Sequence, residues 1–105
     1  MAESIKKLAQ LTLDGTVQTI YTAPTSTSTI IKEISLVNFT LSNVNATIWD
    51  GGNADNNIIL PPTSIDAGGH GEFNGVYFLE AGDVLKAQAS ASASITMTVY
   101  GVELS

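Results

Sequence analysis

The chain reads as an all-β fold, an antiparallel two-sheet β-sandwich of jelly-roll or Greek-key type. Three observations predict it. Apolar and polar residues alternate with a period of two, turn-forming Gly, Pro and Asn recur about every ten residues, and helical i, i+3, i+4, i+7 spacing is confined to the N-terminus. With no crossover helix to connect parallel strands, the sheets must be antiparallel.

Residues 1–8 are expected to form an N-terminal arm ahead of one sandwich domain of residues 9–105. Ile5 and Leu8 could share a helical face with Ala9 after a Ser4 cap, but Ala9, Leu11 and Leu13 alternate equally well as a strand. The arm therefore leads into a first strand. Its amphipathic run, Ile5, Lys6, Lys7 and Leu8, has no obvious core to pack on and is a candidate for lying along a neighbouring subunit.

A second strand over residues 16–22 alternates Val17, Thr19 and Tyr21 against Gln18 and Ile20; Pro24, which cannot donate to a ladder, stops it. Residues 29–39 place Ile34 and Leu36 on one face and Glu33 and Ser35 on the other, as a central strand should. A polar turn at 41–45 is expected to join it as a hairpin to residues 46–50, which Gly51 and Gly52 end. Two short edge strands, 57–60 and 64–67, are expected on either side of Pro61 and Pro62, followed by a glycine-rich turn at 68–71. Residues 76–79 run into a reversal at Gly82, which can adopt positive φ. Leu85, Ala87 and Ala89 then give a face of small residues that lets the opposing sheet approach closely, and AQASASASIT reads as a hairpin turn into a last core strand, 94–104.

A length of 105 residues suits a single module. So small a domain leaves about a third of its unfolded surface exposed, and with 44% apolar but only 13% charged residues much of that surface is uncharged, which favours an oligomer or a docked subunit. Ten acids face four lysines and no arginine, for a net charge of -6, so clustered cations for nucleic acid or an anionic membrane surface are missing. No nucleic-acid or membrane partner is expected. Neither a secretory h-region nor a run of 18 apolar residues is present, so the chain is expected to be made and kept soluble.

Little reactive equipment is available. The absence of cysteine removes disulfides and thiolate metal sites, and the single histidine, His70, sits in AGGHGE, where it reads as a solvated turn residue without an orienting partner. The Asx-rich stretch from Asp50 to Asn57 offers oxygen ligands but lacks the ladder of a calcium loop, so it reads as a turn. Asp66, Glu72, Glu80 and Asp83 lie near turns and read as solvated charges. No catalytic residue, metal or cofactor is expected. Trp49 falls on the opposite parity from Ile48, so one of them faces out of the sandwich; Trp49, Phe73 and Tyr77 are candidates for a protein interface, with a sugar-stacking platform as the alternative.

The runs YTAPTSTSTIIKEISLVN, NATIWDGG and GVYFLEAGDVLKAQASASASITMTVYGVELS resemble small structural proteins of tailed bacteriophages, namely capsid decoration (cement) and tail-associated β-sandwich proteins. The resemblance covers most of the chain after Thr16 and matches turn-and-strand grammar, with no reactive residues in it. It implies a non-enzymatic virion protein, assembled in the host cytoplasm, that binds the major capsid protein or tail proteins and associates with itself, commonly as a trimer in decoration proteins. A tail, baseplate or fibre component, or a carbohydrate-binding module for host attachment, is the alternative.

Overall fold

The structure is a computed structural model and describes residues 5–51, 57–91 and 93–104. Its elements are β1 (Lys6–Thr12), β2 (Gln18–Thr22), β3 (Ser28–Asn38), β4 (Val44–Asp50), β5 (Ile58–Ile65), β6 (His70–Leu79), β7 (Val84–Ala89) and β8 (Ile95–Leu104). The described residues contain no α-helix.

Two four-stranded antiparallel sheets pack face to face, ordered β1-β8-β3-β6 and β2-β7-β4-β5. The first half of the chain pairs with the second half in reverse: β1 with β8, β2 with β7, β3 with β6 and β4 with β5. This is a long hairpin, with its tip between β4 and β5, rolled up into a jelly-roll-like sandwich. The hairpin expected between β3 and β4 does not form, nor does the one between β7 and β8; in each case the two strands belong to different sheets. Both connections instead cross the edge of the sandwich. Turn chemistry alone cannot distinguish a reversal within one sheet from a step to the other.

The core is built from alternate residues of the two inner faces. Ile31, Ile34, Leu36, Met97 and Val99 come from one sheet and Ala46, Ile48, Leu85, Ala87 and Ala89 from the other, each 0 or 1% exposed. Burying a side chain of Ile or Leu size contributes about 1.5–3 kcal/mol, so this row outweighs local propensity. Ile31 and Ile34 are an odd number of positions apart and would face opposite ways in a regular strand. The ladder slips between Ile31 and Glu33 against both β6 and β8, and this irregularity turns both isoleucines inward.

Two sequence expectations change here. Pro61 and Pro62 lie inside a single strand, β5, because β5 is a sheet edge and its register against β4 slips between Ala46 and Ile48, where the missing N–H groups cost no regular ladder bond. Lys6 to Leu8 belong to β1, where Lys6 pairs with Gly101 and Lys7 with Tyr100, so the first strand begins inside the expected arm. Residues 1–4 lie outside the described residues.

Candidate protein-interaction surface

One end of the sandwich is fastened by a single side chain. Asn38, the last residue of β3, is fully buried; its Nδ2 donates to the carbonyls of Ser42 (2.8 Å) and Ile65 (2.9 Å), and its Oδ1 accepts from Thr40 N (2.9 Å) and Thr40 Oγ1 (2.7 Å). An amide side chain has two donor hydrogens and two acceptor lone pairs, and all are used. Backbone bonds from Phe39 N to Ser94 O and from Gly68 N to Thr40 O tie the same loop to its neighbours. The β3–β4 loop is thus held in place, and it holds Phe39 at 56% and Leu41 at 99% exposure, next to the outward-facing Val37. A rigid loop that presents large apolar groups to water forgoes their burial energy within its own chain.

The opposite end of the same outer face carries a second apolar feature. Parity turns Ile30 away from the buried Ile31, and Ile30 pairs with Phe78 of β6 on one side and Val102 of β8 on the other. Ile5 precedes Lys6, the partner of Gly101, and so falls level with Val102. Phe78 and Ile5 are exposed, while Ile30 and Val102 are half-buried between them. The row crosses all four strands. Between row and loop, the outer face is polar, with pairs such as Ser35 and Glu72, and Gln10 donating to Thr98 Oγ1 at 3.0 Å.

At the rim beside the row, Lys6 Nζ lies 2.6 Å from Glu103 Oε1, and Tyr21 OH donates to Glu103 Oε2 while lying 2.9 Å from Thr29 Oγ1. Hydrogen bonds from Lys6 and Tyr21 hold the Glu103 carboxyl below the usual range. Burial, with the Glu103 hydrogen bond second, pushes Tyr21 up to about 12. The cluster joins β1, β3 and β8 of one sheet to β2 of the other.

Its fold is similar to that of virus capsid proteins. A chain of the acid-stable capsid of Helicobacter pylori bacteriophage KHP30 superposes with a TM-score of 0.62 at 12% identity, covering 100% of this chain and 89% of that one. A subunit of the Bacillus endospore appendages, which form disulfide-linked pili, gives 0.57 at 14% identity, covering 98% and 88%. The T13 particle of IBDV gives 0.57 at 8% identity, covering 97% of this chain and 31% of the viral one. At these identities the likeness is one of fold. No protein-family model and no curated protein matches the chain.

The residues singled out from sequence scatter over this frame. Ile5 joins the apolar row. Lys6 is engaged in the ion pair with Glu103, Lys7 Nζ donates to Gln10 Oε1 at 3.2 Å, and Leu8 packs half-buried against the core. Phe73 and Tyr77 pair with Ile34 and Ile31 and pack against the core. Trp49, between Lys86 and Ile58 in the ladder, is only 8% exposed, which leaves little of it for a partner. Val37, Phe39, Leu41 and Phe78 were not legible as a site. The signal for Leu41 was there: an apolar residue amid Thr, Ser and Asn in a turn has no core to reach.

His70 begins β6 rather than sitting in a turn; it is two-thirds exposed, and its Nε2 lies 3.9 Å from Glu72 Oε1. That distance is too long for a hydrogen bond that would fix the ring. Of the Asx-rich stretch, residues 52–56 lie outside the described residues, and the described residues hold no group of three or more metal-ligating side chains. A shallow cleft of about 210 Å³ between β4, β5 and β7, lined by Asn45, Thr47, Pro62, Gln88, Ala89 and Ser90, contains no titratable or aromatic side chain.

Proposed function

We propose that this chain is a bacteriophage virion structural protein, specifically a capsid decoration or cement subunit that binds the assembled shell and stabilises it by contact. The observation that carries the reading is the likeness, over the full length of this chain, to a chain of the KHP30 phage capsid. The exposed apolar loop and row support it, because they offer a partner contact area and no chemistry. Turnover has no part in this role, so His70→Ala leaves it unchanged. Purified particles of the phage that encodes the chain should contain it in many copies, and the purified protein should co-sediment with particles that lack it. Its absence from purified virions would overturn the reading.

A second virion reading, a tail, baseplate or fibre subunit, is favoured by the likeness to a pilus protein. Disulfide linkage is closed to a chain without cysteine, so such a fibre would be held by non-covalent contacts alone. The position of its density in a virion reconstruction separates the two.

A further inference from the structure

We propose that copies of this chain bind one another head to tail, the Phe39–Leu41 loop of one copy seating on the Phe78–Ile30–Val102 row of the next. The inference deepens the virion reading, on which it rests, by naming the partner and the two surfaces.

Loop and row cannot cover each other within one copy. They lie at opposite ends of the same strand, and the seven residues from Ile30 to Val37 span about 23 Å of β3 at about 3.3 Å per residue. Their shapes also differ. The loop is a protrusion with Leu41 at its tip, locked by Asn38, whereas the row is a shallow strip whose centre, Ile30 and Val102, is half-buried between the exposed Phe78 and Ile5. Two tips facing each other would touch over a small area; a tip laid on the strip is covered from below.

Charge makes the same choice. The titratable groups around the loop end are Asp14, Asp66, Glu72 and His70, with no lysine among them. All three lysines of this sheet, Lys6, Lys7 and Lys32, lie towards the row, interspersed with Glu33, Glu80 and Glu103, and Lys6 is already paired with Glu103. Loop against loop therefore sets acid against acid in a chain of net charge -6, while loop on row brings Asp66 and Glu72 towards Lys7 and Lys32. A contact between two different patches repeats from copy to copy. It closes into a ring or runs on as a filament, and either suits a subunit of a shell or fibre.

The test uses two single variants, Leu41→Asp and Phe78→Asp, in sedimentation velocity. Both positions are exposed, so the variants should keep the wild-type melting curve; Leu41→Ser and Phe78→Ser serve if the charged forms do not fold. The wild type should show concentration-dependent association that weakens with added salt. Each variant alone should associate at least tenfold more weakly, and an equal mixture should form a dimer and nothing larger, since one intact loop and one intact row remain between the two. A wild type that stays a protomer, a mixture without dimer, or self-association of either variant at wild-type strength overturns the proposal. A chain present in virions whose variants form no mixed dimer loses this contact and keeps its proposed function; a mixed dimer from a chain absent from virions does the reverse.

Discussion

Lys6 and Glu103 form an ion pair at 2.6 Å that fastens the start of β1 to the end of β8, and through Tyr21 the same carboxylate reaches the second sheet. Because its folded-state pKa is depressed, Glu103 contributes stability that is fully present above the ordinary carboxylate value and is lost as pH falls through the lowered one. Tyr21 works in the opposite sense: raised to about 12, it contributes stability below its ordinary 10.0 that is lost as pH rises through about 12. Lys6 is more than half exposed, so solvent screening keeps the ion-pair share small. Glu103→Gln should cost about 0.5–1.5 kcal/mol at pH 7 and less at pH 3, read from urea unfolding at the two pH values. An equal loss at both would show that the carboxylate charge contributes nothing.

Asn38→Ala should be far more damaging. It removes four hydrogen bonds and leaves the Ile65 carbonyl without this buried partner, a loss of about 2–4 kcal/mol. The urea midpoint should fall with an unchanged slope, and amide exchange should speed up across the β3–β4 loop. Fast exchange at Phe39 and Thr40 in the wild type would contradict the locked loop.

These residues show how far the sequence can be read. Alternation revealed the strands and the inward face of β3, because burial of Ile34 and Leu36 enforces a period of two. It failed at Ile31 and Tyr21, where register slips reset parity; a bulge is set by the partner strand, which a linear pattern does not contain. It failed again at Asn38, which looks like any strand-terminating Asn until Ile65, distant in sequence, is brought beside it. The candidate surface was hidden for a related reason: Phe39 and Phe78 sit in apolar strand sequences and become notable only once the fold leaves them outside. Trp49, by contrast, attracted attention for its size, and the ladder withdrew it from solvent.

Asp50 offers a stabilising change. Burial first, and the charge of Asp83 second, raise its carboxyl above the usual value. An acid raised in the folded state holds its proton more tightly there, so its favourable share is present below the ordinary value and is lost as pH rises; at neutrality the charge is a cost. Asp50→Asn should therefore raise stability by a few tenths of a kcal/mol at pH 7, with the group partly exposed and screened. Thermal melts at pH 7 and pH 3 should show the gain at the first and not at the second.

Gly101 tests the packing of the sheet that carries the proposed contact. It lies in β8 between Lys6 and Ile31, and a Cβ there would overlap the Ile30 carbonyl oxygen and come within 2.9 Å of Leu8 Cδ1. The Leu8 side chain can rotate away, but the Ile30 oxygen belongs to the backbone of the central strand and cannot yield without breaking the ladder. Gly101→Ala should then cost about 2 kcal/mol or more, at the upper end for a single added methyl. Gly82→Ala is the contrast: its φ of 88° is strained for any L residue, yet nothing lies within 4 Å of its Cβ, so its cost should be near 1 kcal/mol and confined to the turn. Equal losses for the two variants would mean that backbone conformation alone, and not the closeness of β1, β8 and β3, decides the glycine at 101.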